Sequence, residues 1–467
     1  MKLAGRLLLL LLLAVSGRSR VRLATSLLGL TDGFGSLLPK LSRPANHSRI
    51  FYAVMFDAGS TGTRVHVYTF IQSGSEQLPI LDNEMFHSIK PGLSAYADSP
   101  ETAGHTVRTL LKVAKKTVPR LEWKRCPLVL RATAGLRLLA EDKAQVLLQQ
   151  VQHVFDESPF LVPDDSVGVM NGTYEGLLAW ISLNYLTGHL SAQTKNTVGI
   201  LDLGGGSTQI TFLPNQRKTI ESVPAADYVA RFGISNTSFE LYTYSYLGNG
   251  LMAARLATLG ALGAEGTGAV HEEGRRGWFL SPVNNSSEAL SQRVTSLLLT
   301  GLEWRVFRSS CLPKKFKGEW SFGELTYRVS GDPEGFAGYK LCYQEVLKAV
   351  KGIIHQPYKL EDSNVFYAFS YYFDRAVDAG LIDGDHGGML QVRDFKKRAK
   401  EVCNEMSKST PTSAFLCMDM TYITCLLKDG FGFKESTVLK LTKKVNNVEA
   451  SWALGAVLDH FHNLKIH

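Results

Sequence analysis

Two short glycine-rich segments carry the residue types that hold phosphate: Asp57-Ala-Gly-Ser-Thr-Gly-Thr-Arg64 and Asp202-Leu-Gly-Gly-Gly-Ser-Thr-Gln209. Consecutive backbone N–H groups in a tight turn form a concave donor array that suits phosphate oxygens. Gly62, Gly205 and Gly206 let such a group approach the main chain closely, and Ser60, Thr61, Thr63, Ser207 and Thr208 add hydroxyls. Each segment opens on a carboxylate, Asp57 or Asp202, which could hold a hydrated divalent cation beside the phosphates. Laid over one another, the segments share the pattern D-x-G-x-x-x-T-x at a separation of 145 residues, from 57 to 202. One such turn alone is commonly an ordinary hairpin. A matched pair is a diverged internal repeat and predicts two similar domains that face one another.

Cleaving a phosphoanhydride also needs a base that orients and activates water. Glu175 opens a predicted helix just after a strand and a turn, so it is the best-placed candidate. Taken singly, it is only a helix-start carboxylate favoured by the macrodipole. No G-x-x-x-x-G-K-[ST] string occurs, which excludes a P-loop NTPase. Gly248-Asn-Gly250-Leu-Met-Ala253 satisfies a dinucleotide-binding string, but no βαβ unit frames it. It reads as a turn before a helix over Leu251 to Leu259.

The elements that must position these residues follow from hydrophobic patterning. Apolar runs at Ile50 to Phe56 and Val198 to Leu201 read as buried strands leading into the two turns, and strands resume at Arg64 to Phe70 and Ile210 to Phe212. Helical spacing appears at Val107, Leu110, Leu111 and Ala114, and again at Ala144, Leu147, Leu148, Val151 and Phe155. Between them Pro127 to Leu130 reads as a short strand. Val167 to Met170 is a further strand, with a helix from about Glu175 to Tyr185. Residues 257 to 300, rich in glycine, alanine and glutamate, read as a surface insertion. The final third reads as mixed helix and loop, closing with a helix around Val448 to Phe461.

A chain of 467 residues with 45% hydrophobic content can bury a large core and suggests two domains or more. The net charge of +8 is spread without a dense basic run, which disfavours nucleic acid as a partner. Lys2 and Arg6, the apolar run Leu7 to Val15, and Ser16-Gly17 have the order of a cleaved signal peptide, since a spanning helix needs ~20 apolar residues. Six cysteines fit an oxidising compartment, with Cys311–Cys342 and Cys403–Cys417 as reasonable disulfides and Cys126 and Cys425 as buried thiols. Sequons at Asn46, Asn236, Asn284 and Asn285 agree with passage through the secretory pathway. A further sequon at Asn171 is expected to be unused, because a glycan there would crowd Glu175.

With these residues assembled, the chain resembles the nucleoside triphosphate diphosphohydrolases, or apyrases, and among them the soluble lumenal type 5 and type 6 members. The resemblance runs from about Phe51 to Leu464 and rests on five segments: residues 57–64, ATAGLR at 132–137, NGTYEG at 171–176, residues 202–209, and YAFSYYFD at 367–374 with NNVEASWALG at 446–455. It implies an α/β chain with the actin-like, sugar-kinase-like fold, in which two RNase H-like domains flank an active-site cleft. The expected parts are a signal peptide at 1–17, a leader at 18–48, domain I at 49–166 completed by 440–467, and domain II at 167–439 with an insertion at 260–305.

The resemblance further implies a role for each matched residue. Glu175 corresponds to the catalytic base, and Ser207 and Gln209 to the residues that position the attacking water. Asp57 and Asp202 correspond to carboxylates that bind Ca²⁺ or Mg²⁺ through water. Ser60, Thr61, Gly62, Thr63, Gly205 and Gly206 correspond to the phosphate cradle, with Arg64 and Thr133 nearby. Tyr371 and Tyr372 stand where the family approaches the nucleoside, although aromatic residues there equally suit a core. The activity implied is divalent-metal-dependent removal of the terminal phosphate from nucleoside diphosphates, UDP and GDP foremost. The setting implied is the endoplasmic reticulum or Golgi lumen, or the exterior. The chain is expected to be a monomer or weak oligomer without a membrane span. Competing readings are a polyphosphate-type hydrolase, a sugar kinase, or a nucleotide-gated binding module or chaperone with little turnover.

Overall fold

The computed structural model describes residues 49–72, 78–190, 196–234, 237–260, 306–323, 325–360, 365–406 and 413–462. The expected signal peptide and leader, the sequons at Asn46, Asn236 and Asn284, and most of the insertion at 260–305 lie outside them. The chain divides into two units, residues 1–50 with 71–79 and residues 51–70 with 80–467. Of the first, only residues 49–50, 71–72 and 78–79 are described, and apart from the strand ends at 49–50 and 71–72 the account below concerns the second.

The first sheet has five strands in the order β3-β2-β1-β4-β5, where β1 is Arg49–Ala58, β2 Thr63–Gln72, β3 Ile80–Ile89, β4 Leu128–Ala132 and β5 Val167–Val169. β4 runs parallel to β1, pairing Asp57 with Arg131, and β5 runs parallel to β4. The helix Pro100–Thr117 covers this sheet because Ala103, Val107, Leu110, Leu111 and Ala114 form one buried stripe at helical spacing. Proline in its first turn and Lys115 and Lys116 in its last suit the backbone and dipole at each end.

The second sheet has seven strands. β6 is Gly199–Leu203, β7 Ser207–Phe212, β8 Val229–Ile234 and β9 Thr237–Leu247. After a small sheet of β10 (Val306–Ser309), β11 (Lys317–Phe322) and β12 (Leu325–Gly331) come β13 (Phe366–Ser370), β14 (Gly388–Gln391) and β15 (Val438–Leu441). The order is β14-β15-β13-β6-β7-β9-β8, with β6, β13 and β15 parallel and the pairs β6–β7 and β7–β9 antiparallel. Its inner five strands, taken from β9 through β7, β6 and β13 to β15, repeat the first sheet's order of β3, β2, β1, β4 and β5. The duplication read from two eight-residue segments therefore extends to whole sheets. This is the α/β, actin-like arrangement of two RNase H-like halves.

Several elements differ from the sequence reading. The final third is not mixed helix and loop; it supplies β13, β14 and β15. β5 carries the first sheet past residue 166, and β15 keeps the second sheet running beyond residue 439. The closing helix spans Ala453–His462, because Val448 belongs to a hairpin with Val445. Asn446 and Asn447 turn that hairpin at φ values of 53° and 66°, a left-handed pair that asparagine tolerates. Cys311–Cys342 and Cys403–Cys417 are disulfide-bonded, while Cys126 and Cys425 are buried thiols. Among the described residues, no helix is long and apolar enough to cross a membrane.

Candidate active site

The two glycine-rich turns link equivalent strands, β1 to β2 and β6 to β7, and close in the same way. Gly59 N–H donates to the Gly62 carbonyl and Gly204 N–H to the Ser207 carbonyl, each at 3.0 Å. These are equivalent pairs, since 204 and 207 are 59 and 62 plus 145. The turns also touch. A Cβ at Gly205 would lie 2.4 Å from Thr61 Cγ2 and 2.6 Å from Ser60 Oγ, so only glycine lets the second turn approach the first this closely. Gly206 packs on Ala134 and Ser60, and Thr133 N–H donates to the Ala58 carbonyl at the rim.

The string Gly248 to Ala253 acts as a buttress. Gly248 N–H donates to the Gly206 carbonyl, Leu251 N–H to Gly204, and Met252 and Ala253 N–H to Gly205. The first turn of the helix Leu251–Thr258 thus spends its otherwise orphaned donors on the second turn's carbonyls and holds that turn in place.

Glu175 lies in the first turn of the helix Gly172–Leu186, which Asn171 caps by accepting the Thr173 N–H at 2.8 Å. The helix is buried almost all round, and Glu175 is buried with it. Arg137, at the end of the one-turn helix Ala134–Arg137, donates through Nη2 to Glu175 Oε2 at 2.5 Å and lies 3.4 Å from Ser207 Oγ. Burial pushes the Glu175 carboxyl up to about 7; the Arg137 charge opposes this, and the charges of Asp202 and Asp57 add to it. A carboxylate poised there suits a general base.

Ser207 and Gln209 lie not in a loop but on β7, two residues apart and so on one face. Gln209 Nε2 donates to Ser207 Oγ at 2.7 Å and to Ser245 Oγ at 2.9 Å. Glu175, Arg137, Ser207 and Gln209 therefore form one connected group. Asp57 Oδ2 accepts from Arg64 Nη1 at 2.8 Å, which ties Arg64 to the carboxylate. Asp202 is raised to about 6 by burial, with Asp57 adding, while a hydrogen bond from Ser370 and the Arg64 charge act against it.

Asp57 Oδ1 and Asp202 Oδ1 are buried and have no partner among the described residues. Two hard oxygen acceptors left over at adjacent strand ends fit a hydrated Ca²⁺ or Mg²⁺.

The nucleoside expectation needs correcting. Tyr372 is fully buried and packs into the core of the second half, so its ring cannot face a ligand. Tyr371 is half-buried and lies within electrostatic reach of Arg64. Sequence reasoning assigned no role to three residues that the site includes. Arg137 stood inside the quoted ATAGLR segment, and Ser370 inside YAFSYYFD. Ser370 has φ 57° and ψ −129°, a conformation costly for serine and typical of functional positions. Ser245 lies outside every motif, and its signal was slight: a small polar residue in the tyrosine-rich run Tyr242 to Tyr246.

Comparison with known proteins follows the same line. A family model described as the GDA1/CD39 (nucleoside phosphatase) family matches residues 43–467. The chain is 53% identical over 434 residues to ectonucleoside triphosphate diphosphohydrolase 5 of Gallus gallus, covering 93% of each. It is 51% identical over 415 residues to the human nucleoside diphosphate phosphatase ENTPD5, covering 89% of this chain and 88% of that protein. Among solved structures it resembles the nucleoside triphosphate hydrolases from Neospora caninum, with a TM-score of 0.61 at 13% identity over 95% of this chain and 97% of that one; this likeness is one of fold.

Proposed function

Because the chain belongs to the GDA1/CD39 (nucleoside phosphatase) family, whose members hydrolyse phosphoanhydrides, we propose that it removes the terminal phosphate from nucleoside diphosphates, UDP and GDP foremost. The observation that carries this reading is the buried Glu175, joined through Arg137 and Ser207 to Gln209 beside two facing phosphate turns. A binding module would need the turns but not a base poised near neutrality. The human relative, a nucleoside diphosphate phosphatase by name, supports the diphosphate preference.

In the proposed reaction the turn amides and the hydroxyls of Ser60, Thr61 and Thr63 hold the phosphates in place. Ser207 and Gln209 hold a water in line with the terminal phosphorus. Glu175 takes the proton as the water attacks, and the bridging oxygen leaves with the nucleoside monophosphate. Asp57 and Asp202 would hold Ca²⁺ or Mg²⁺ through water, which supplies charge neutralisation at the phosphates when bound. Tyr371 is the remaining candidate for the nucleoside.

The two disulfides support an oxidising compartment, in keeping with the signal peptide expected at 1–17 and with a glycoprotein of the endoplasmic reticulum, Golgi or exterior. Removing UDP or GDP there would relieve product inhibition of lumenal glycosyltransferases. Phosphate release from UDP, GDP, ADP and UTP, with Ca²⁺ or Mg²⁺, tests the reading on wild type and Glu175→Gln. We expect UDP and GDP to be turned over fastest and the variant to lose at least ~100-fold in kcat. Full activity in the variant would sink the mechanism, and equal use of UTP would sink the diphosphate preference.

A further inference from the structure

β9 presents Tyr242, Tyr244 and Tyr246 on one face and Thr243 and Ser245 on the other. Its register against β7 sets Ser245 opposite Gln209 and Thr243 opposite Thr211. Both cross-strand pairs meet through their side chains, since Thr211 Oγ1 and Thr243 Oγ1 are 2.7 Å apart and Gln209 Nε2 is 2.9 Å from Ser245 Oγ. The helix carrying Glu175 rests on this polar strip. A Cβ at Gly172 would lie 2.6 Å from Ser245 Cβ, and one at Gly176 would lie 2.7 Å from Thr211 Oγ1.

A glutamine amide has two N–H donors and one carbonyl acceptor. Gln209 spends its donors on Ser207 and Ser245, while its Oε1 is buried without a partner among the described residues. The terminal torsion of glutamine is broad and roughly two-fold, so one hydrogen bond leaves the amide free to swing. Two bonds to hydroxyls on neighbouring strands hold it. Ser207 belongs to the glycine-rich segment, whereas Ser245 comes from a strand no motif covers.

We propose that Ser245 is a positioning residue for the hydrolysis: it pins the amide of Gln209 so that the carbonyl oxygen points at the attacking water. The proposal rests on the reading above, in which Gln209 and Glu175 share one water. Close packing under Gly172 also accounts for a small side chain at this position. A longer one would push on the helix that aims Glu175.

The test is a double-mutant cycle on the full secreted chain with UDP, using Ser245→Ala, Gln209→Ala and the double variant. We expect Ser245→Ala to lose roughly 10- to 100-fold in kcat, with KM within about two-fold and an unchanged melting temperature. The double variant should be no slower than Gln209→Ala alone, because the hydroxyl has then lost the group it acts through. Normal kcat in Ser245→Ala, or losses that multiply in the double variant, would overturn the proposal. Should the alanine variant melt early, Ser245→Cys keeps the side chain's size while replacing the hydroxyl by a poor acceptor, and answers the same question. Glu175→Gln is assayed alongside. If it is inactive while Ser245→Ala is normal, only the role of Ser245 falls. If it is fully active, the hydrolytic reading falls and takes this proposal with it.

Discussion

A carboxylate raised to about 7 has to be ionised before it can accept a proton, so hydrolysis should climb with pH through that region. Arg137 is the group that holds Glu175 down against burial. Arg137→Gln should therefore move the acid limb of the kcat profile to higher pH and cost more at pH 6 than at pH 8.5. Phosphate release across pH 5.5–9 reads this directly, and an unmoved limb would refute the role. The same shift has a stability side. A carboxyl whose folded value exceeds the unfolded one favours folding below about 4.5, and that contribution is lost as pH rises through about 7. In metal-free buffer Glu175→Gln should then stabilise the fold at pH 8 but not at pH 5, by at most about 3 kcal/mol in denaturant titration. The chemistry-bearing residues were legible because they are few in kind and repeat at a fixed offset. Tyr371 and Tyr372 were harder, since adjacent aromatic residues at a helix start do not announce which ring turns inward. Ser370 was harder still, because its unusual backbone has no signature in residue type.

The phosphate turns were legible as elements, but their limits were not. β7 begins at Ser207, so Thr208 and Gln209, read as the end of a tight turn, are held by a ladder to β6 on one side and β9 on the other. Strand pairing gives Gln209 a fixed cross-strand neighbour, which a loop would lack. The contact between the turns is equally exacting. Gly205→Ala should force Thr61 and Ser60 aside and lower kcat/KM for UDP roughly 100-fold, with circular dichroism unchanged. Near-normal kcat/KM would mean the turns have slack that this packing does not suggest. The strands of the last third escaped notice for a different reason. Phe366 to Phe369 is a four-residue buried run that periodicity cannot separate from a stretch of buried helix, and β14 and β15 have four residues each.

At the scale of the whole molecule, the repeat predicted two related halves and the common strand order bears this out. What it could not foretell was how far the chain must travel to complete them. The closing helix Ala453–His462 packs on the helix Gly172–Leu186, and Gly455 N–H donates to Ser182 Oγ at 2.8 Å. Glu449 N–H donates to Glu84 on β3 at 2.7 Å. Leu454, Val457 and Leu458 are buried, and at about 2 kcal/mol each their loss is comparable with the stability of an ordinary domain. A chain ending at residue 452 should therefore aggregate, as size-exclusion chromatography of the expressed protein would reveal. The central strand of the second half has its own delay. β6 carries Asp202 at its end, yet its parallel neighbour β13 begins 163 residues after Leu203, at Phe366. At roughly 5–20 residues per second of synthesis, one edge of β6 stays bare for about 8–30 s. During that interval it is an open template for any other strand. The site's geometry thus carries an obligation in time: whatever compartment makes this enzyme must shield a half-built sheet until its far strand arrives.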